Sequence, residues 1–500
     1  MSHHHGTTTL ARSRCLTLLR HCTKTTQLKP IHALLVTQGL HENLYVITKL
    51  ITSLTSVSTN LHYSSLLFNQ LQNSNLFIYN TLIKAHSKSP HPQTSFHYFN
   101  LLLKEETITP NCQTFNFVLV ACAKTSSLLS GMQIQNWVFK NGMFSSDSYV
   151  QTGVIRLYVE ARLWDDARKV FDEIAYVDVV KWNVLMSGLI RCRLGAQALS
   201  VFKEMLVFGV EPDEFCLTTA LTACAQSGSL WEGKWIHEYV KKRENYLELD
   251  VFIGTALVDM YAKCGCLDLA VEVFEGMSKR NVFSWAAMIG GFAVHGHARK
   301  AIHCLGRMQT DGIRPDGVVL LGVLTACTHA GLVEEGLLLL NNMEGQYRIV
   351  PKHEHYGCVV DSLCRVGKFD EALKLIRRMP MKPLASVWGA LLNSCRIHNN
   401  VELAELAVKE LLELEDCDVD EEDAALVQLS NIYFGAQKSE DGHRVRRMIG
   451  DRGLRKAPGC SMIEVDGRTT EFVSGDVSHP IHFQIHALLK LLFPGDPDTL

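Results

Sequence analysis

The 500-residue chain has no Cys-x-x-Cys pair, no His-x-Glu, no glycine-rich phosphate loop after a strand pattern and no Gly-x-Ser-x-Gly elbow. The first two absences remove the ligand set and the proton-moving glutamate of a zinc deaminase. The last two remove P-loop and α/β-hydrolase chemistry. No catalysis of its own is expected, and neither is a cofactor or a bound metal. Long apolar runs are also missing: the longest uncharged apolar stretch, around Val318 to Cys327, is far shorter than the roughly 20 residues of a membrane span. No membrane insertion is expected. The 16 cysteines lack the dense, even framework of a small secreted domain, which implies a reducing compartment.

Acidic residues are absent from residues 1–41, where Arg12, Arg14, Arg20, Lys24 and Lys29 alternate with Ser and Thr, the pattern of an organelle transit peptide. Helical sequence begins near Leu10, so the disposable part is short. A strong excess of either charge is absent overall, at −3. Between Glu402 and Asp423, however, 11 acids face one base, Lys409, so that segment carries −10 and the remainder +7. A mildly basic body suits a protein that reads bases more than it grips phosphates; a solvated acidic loop beside an ordinary surface explains the numbers equally well.

What is present is a period. Cys122, Cys224 and Cys327 are spaced by 102 and 103 residues, Asn80, Asn183 and Ala286 by 103 and 103, and Asn111, Asp213 and Asp316 by 102 and 103. Each period divides into three units: 76–111, 112–147 and 148–178; then 179–213, 214–250 and 251–281; then 282–316, 317–352 and 353–384. These lengths hold two short helices and their turns, and no such unit can bury its apolar faces alone. In 251–281, Ala256, Leu257, Met260 and Tyr261 mark one apolar face and Leu267, Ala270, Phe274 and Met277 another, with Gly265 between them to permit the reversal. Pro212-Asp213 and Pro315-Asp316 interrupt the helical pattern where the next unit begins. The expected fold is all-α: a right-handed superhelical solenoid of helix-turn-helix repeats with a short irregular C-terminal extension. The cysteines of Ala121-Cys122, Ala223-Cys224 and Ala326-Cys327 read as small buried hydrophobes.

Val180-Lys181-Trp182-Asn183, Ala256 through Gly265 (ALVDMYAKCG) and Leu324-Thr325-Ala326-Cys327 resemble the pentatricopeptide repeat family, and the 35/36/31 alternation resembles its plant PLS subclass. Val387 to Leu392, Glu402-Leu403-Ala404 and Gln428 to Tyr433 are similar to that family's E motifs. Pro458-Gly459-Cys460-Ser461, Ile463-Glu464-Val465 and Glu471 to Asp476 are similar to its E-plus segment, although Met462 stands where the family has Trp. The DYW deaminase domain that follows in other members is missing. The resemblance implies a transit-peptide remnant at 1–9, a divergent repeat at 10–43, a repeat array at 44–384, E-motif helix pairs at 385–456, an E-plus-like segment at 457–490 and a tail at 491–500.

The family reads one base per repeat with two or three side chains. The resemblance assigns base contact to the fifth and last residues of each unit: Thr48 with Asn75, Asn80 with Asn111, Thr152 with Asp178, Asn183 with Asp213, and Thr255 with Asn281. Asn116 with Asp147 and Thr218 with Asp250, in the long units, contribute less. An ionised Asp only accepts, which suits the ring N–H of uracil or guanine, whereas Asn can donate to adenine N1 or cytosine N3. With fifth-position Thr favouring purines and Asn pyrimidines by family analogy, the array reads A-(C/U)-U-G-U-G-A from 5′ to 3′. Asn, Asp and Thr before a helix also cap it, which leaves helix capping as the structural alternative at each last residue. Ala286, Leu321 and Gly357 break the pattern, so the third cycle is expected to add stacking or spacing.

His353-Glu354-His355 puts two histidines about 200° apart on a helix, and Cys264-Gly265-Cys266 straddles a turn; both read as packing. The resemblance therefore implies a non-catalytic, sequence-specific binder of single-stranded organellar RNA. It would be a site-recognition factor for C-to-U editing in the mitochondrion or, second, the chloroplast, and would recruit a deaminase-bearing partner through 385–490. A splicing or transcript-stability factor and a protein-binding helical scaffold are the alternatives.

Overall fold

The computed structural model describes residues 3–492 apart from 21, 23–24, 42, 58–60, 72, 243–249, 415–418, 452–458, 466–467, 475 and 478–479. The first two residues of the transit-peptide reading, part of the acidic stretch, Pro458 and Gly475 of the C-terminal motifs and 493–500 of the tail lie outside the described residues.

Each repeat begins where a polar cap meets an apolar helix. Asn75, Asn111, Asp147 and Asp178 sit in extended backbone and accept the N–H of the residue three further on, which starts the helices Leu76–Lys88, Cys112–Lys124, Ser148–Glu160 and Val179–Arg191. Asn281 and Asp316 do the same for Val282–Val294 and Gly317–Ala330, and Asp250, at φ −55°, accepts the N–H groups of both Phe252 and Ile253 to start Val251–Lys263. The return helices follow after turns that need left-handed backbone. At Gly265, φ is +83°, and Cys266 N–H donates to the Tyr261 carbonyl at 2.9 Å, closing the end of Val251–Lys263 before Leu267–Gly276 begins. The unit at 44–75 is built likewise, from Leu44–Val57 and the short His62–Asn69.

Two compact units are distinguished, Met1–Thr219 and Ala220–Leu500, with the division inside the helix Glu214–Ser227. In the first, the leading helices 44–57, 76–88, 112–124, 148–160 and 179–191 pack successively side by side, and each return helix packs on its own partner. In the second, 251–263, 282–294, 317–330, 353–365, 385–398 and 419–435 form the corresponding series. The chain is thus an array of helical hairpins, each burying its apolar face on its neighbours. Return helices carry the steepest amphipathic patterns: in Phe369–Arg377, Ala372 and Ile376 are buried while Asp370 and Arg377 stay outside.

The core repeats with the sequence. Phe171 meets Trp182 edge-on with ring centres 4.7 Å apart, and 103 residues later Phe274 meets Trp285 the same way at 4.8 Å. Cys122, Cys224 and Cys327 are buried, and burial pushes the Cys122 thiol up to about 12 and the Cys327 thiol up to about 11, as inert packing cysteines require. Leading helices approach closely through small residues. A Cβ placed on Gly188 would lie 1.8 Å from Val159 Cγ1, whereas one on Gly290 would meet nothing within 4 Å. Gly188→Val is therefore expected to lower the unfolding free energy by about 1–3 kcal/mol through overpacking, and Gly290→Ala to raise it by about 0.5–1 kcal/mol through helix propensity. Urea unfolding midpoints of the two variants on opposite sides of wild type would check this.

The C-terminal extension adds a two-stranded antiparallel hairpin, β1 (Cys460–Val465) and β2 (Arg468–Val473), with Cys460 opposite Val473 and Val465 opposite Arg468, followed by the helix His482–Leu492. No helix of the described residues is long and apolar enough to cross a membrane.

Candidate nucleic-acid interface

The fifth residue of each unit lies one turn into the leading helix, and the last residue caps the next leading helix. At one unit the two are directly joined. Asn80 Nδ2 donates to Asn111 Oδ1 at 3.1 Å, and the Thr114 hydroxyl donates to Asn80 Oδ1 at 2.7 Å. Asn111 Oδ1 also takes the Thr114 N–H at 3.1 Å, and Asn80 is buried.

The other pairs meet less directly. Thr152 donates to the Ser148 carbonyl at 2.8 Å, and the Ser148 hydroxyl donates to Asp178 Oδ2 at 2.8 Å, so Ser148 links the two. Asn183 Oδ1 accepts the Thr219 hydroxyl at 2.8 Å, while Asp213 Oδ1 accepts Cys216 N–H at 2.8 Å. Thr48 turns its hydroxyl back to the Leu44 carbonyl at 2.6 Å, and Asn75 caps Ile78 N–H at 2.9 Å. Asn116 is half-buried, and Asp147 caps Val150 N–H at 2.9 Å. Thr218 bonds the Phe215 carbonyl at 3.0 Å. In the second unit, Asp250 caps Phe252 and Ile253, and Asn281 forms a reciprocal capping box with Ser284. The Thr255 hydroxyl is buried and has no hydrogen-bond partner.

Helix capping is thus realised at every last-register Asn and Asp named above. At the Asp positions it uses one acceptor site, or two at Asp250, and a carboxylate has about four, so capping and base contact are compatible on the same side chain; at Asn111, whose Oδ1 is taken by Asn80 and Thr114, the amide NH₂ remains. A fifth-register residue makes no cap itself; Asn80 braces one, and the polar character of the others at this register needs another reason.

In the first unit the leading helices line a groove of about 600 Å³ whose walls include Asn80, Asn116, Thr52, Lys84, Lys88, Phe77 and Tyr149. Lys84 lies 5.6 Å above the Phe117 ring. Phe77 and Tyr149 belong to a row the sequence reading missed: the second residue of most leading helices is a large apolar side chain left exposed, with polar Gln113 interrupting the row between them. Tyr45, Phe77, Tyr149, Val180 and Phe215 occupy this register in the first unit and Phe252, Phe283 and Val318 in the second, each between 48% and 71% exposed. The available signal was their position directly after the cap, outside the buried stripe.

His355 is buried; it takes Lys352 N–H on Nδ1 at 3.1 Å and reaches the Gly317 carbonyl from Nε2 at 2.9 Å, whereas His353 bonds the Lys382 carbonyl. Both histidines serve the backbone. Cys264 Sγ lies 3.6 Å from the Cys224 carbonyl. Among the described residues no cluster of three His, Cys, Asp or Glu side chains could hold a metal ion.

Family profiles described as PPR repeat match residues 152–175, 255–282, 283–313 and 348–380, one described as PPR repeat family matches 177–226, and one described as E motif matches 398–464. A pentatricopeptide repeat-containing protein of Arabidopsis thaliana is 58% identical over 477 residues, 94% of each chain. A second from that plant, named as chloroplastic/mitochondrial, is 37% identical over 96% of this chain and 76% of its own. Among solved structures, the pentatricopeptide repeat protein PPR10 in complex with an 18-nt psaJ RNA element aligns with 91% of this chain and 83% of that one at 13% identity, with a TM-score of 0.43. With identity of this extent along nearly its whole length, the chain belongs to the pentatricopeptide repeat family.

Proposed function

We propose that this chain binds single-stranded RNA sequence-specifically in the mitochondrion or chloroplast and acts as a site-recognition factor for C-to-U editing, with a deaminase-bearing partner recruited through residues 385–490. The observation that carries the RNA reading is the coincidence of three registers on the leading helices: a polar cap that keeps a free acceptor or amide group, a fifth residue that is polar in seven successive units, and an exposed apolar second residue in six of those seven, Gln113 being the exception. Successive bases can stack on such side chains while their edges meet Asn, Asp and Thr, a division of labour common to single-strand readers. Exposed Lys84 and Lys88 beside Phe77 and Asn80 supply the positive charge a phosphate backbone needs. The organellar assignment draws on the acid-free N-terminus and on the naming of a relative as chloroplastic/mitochondrial.

Recruitment is supported by the C-terminal extension. A two-stranded sheet has edges to spare, and Phe483, Leu488, Leu491 and Leu492 of the following helix are exposed. Catalysis is assigned to the partner, since this chain has neither His-x-Glu nor Cys-x-x-Cys.

The test is binding of the full chain to RNA bearing A-(C/U)-U-G-U-G-A against scrambled RNA. Phe77→Ala and Tyr149→Ala are each expected to weaken binding to both sequences by about 1–3 kcal/mol, with stability unchanged within about 0.5 kcal/mol because both are surface positions. Equal affinity for cognate and scrambled RNA would sink base reading. Selective binding without loss of any editing event in plants lacking the protein would leave splicing or transcript protection as its role.

A further inference from the structure

The third residue of a leading helix helps to hold the cap before it. At Asn111 and Asn281 that residue is Thr114 or Ser284, and its hydroxyl shares the capping box. At Asp213 it is Cys216, at Asp147 it is Val150 and at Asp250 it is Ile253. At Asp178 it is Lys181, whose side chain is only 2% exposed. The ammonium donates to Asp178 Oδ2 at 2.7 Å and to Ser148 Oγ at 2.8 Å, and the Ser148 hydroxyl donates a hydrogen bond to the same Oδ2 at 2.8 Å. Asp178 Oδ1 accepts Lys181 N–H at 3.1 Å.

The geometry points to Lys181 as a positioning residue that makes Asp178 a single-acceptor reader of the ring N–H of guanine or uracil. This inference rests on the base-reading role proposed for Thr152 and Asp178. A carboxylate oxygen has two acceptor sites. Both on Oδ2 are taken by Lys181 and Ser148, and the cap takes one on Oδ1. One site remains. A carboxylate with both oxygens available grips guanine through N1–H and the N2 amine together; a carboxylate with one cannot. In this unit the N2 amine of guanine is left unread, and guanine and inosine, which differ only by that amine, become equivalent.

Lys181 also keeps the reader charged. Burial alone would raise the Asp178 pKa, but hydrogen bonds from Lys181 and Ser148 outweigh it and hold the carboxyl below its usual range. Among the described residues Lys181 is the one charged group acting on Asp178; the neighbouring helix Ser148–Glu160 contributes the Ser148 hydroxyl.

The experiment uses the full chain and RNAs with guanine, inosine or uracil opposite this unit, titrated across a pH series. Wild type is expected to bind guanine and inosine within twofold. Lys181→Met vacates a site on Oδ2, so guanine should gain about tenfold over inosine, the usual worth of a hydrogen bond to a charged group. Affinity of the variant should also fall at a higher pH than that of wild type, because the carboxyl loses its cation and protonates earlier. Lys181→Val, which copies Val150 after the Asp147 cap and brings no side-chain donor, gives the same readout should the methionine variant fold poorly. A tenfold guanine preference in wild type, or an unchanged ratio and pH profile in both variants, overturns the inference. A uracil-to-cytosine exchange opposite Asn183 and Asp213 separates the two levels. Discrimination there with no Lys181 effect defeats this inference alone, while none at either position defeats base reading itself.

Discussion

Asp178→Ala is expected to lower the unfolding free energy by about 3 kcal/mol, while the double variant Asp178→Ala/Lys181→Met loses only about 1 kcal/mol. Two losses add in the single variant. The helix Val179–Arg191 loses its N-cap, worth about 1 kcal/mol. The Lys181 ammonium, 2% exposed, is left with only the Ser148 hydroxyl. Removing one partner of a fully buried ion pair costs about 3–5 kcal/mol; since Asp178 is 34% exposed, water screens part of the interaction and about 2 kcal/mol is the discounted figure. Methionine at 181 removes the stranded charge and leaves only the cap loss. Acid should act in the same direction. The folded pKa of Asp178 is depressed, so its contribution is present above the unfolded carboxylate range and disappears as pH falls through the folded value. Urea midpoints measured at neutral pH and in acid decide the matter: equal losses in the single and double variants would mean that the pair carries no net energy.

The parts of this fold written most plainly in the sequence are those where one residue has one strong local preference. Asn75, Asn111, Asp178 and Asn281 precede apolar stretches as helix caps do, and the structure starts a helix directly after each. Gly265 stands where only a left-handed residue lets the chain reverse, and it adopts that conformation. Features set by residues from another repeat were hidden. Nothing in Val180-Lys181-Trp182-Asn183 marks Lys181 as buried; its ammonium is held by Ser148, 33 positions earlier, as well as by Asp178. The amide of Asn80 is oriented by Thr114, 34 positions on. Phe77 and Tyr149 were hidden for the opposite reason, because an aromatic beside an apolar stripe reads as core until the helix orientation is known.

Asp213→Asn is expected to turn a preference for uracil opposite the unit 179–213 into one for cytosine, with a swing of about tenfold to a hundredfold, the scale of 1–3 kcal/mol for one mismatched base contact. In wild type the Asp213 cap uses Oδ1 toward Cys216 N–H, and the second oxygen keeps acceptor capacity for a ring N–H. Asn183 accepts the Thr219 hydroxyl on Oδ1, which turns its amide nitrogen into the donor of the pair. One acceptor beside one donor complements uracil, whose N3–H lies next to a carbonyl oxygen. With asparagine at 213 the side-chain oxygen is committed to the cap and the remaining group is an NH₂, which meets cytosine N3 as a donor and repels uracil N3–H. The helix itself should tolerate the change, because Asn and Asp cap about equally well. A shifted base preference at unchanged stability can then be assigned to reading rather than to folding. Paired binding titrations with RNAs differing only in that pyrimidine give the answer, and a variant that still favours uracil would remove Asp213 from the recognition surface.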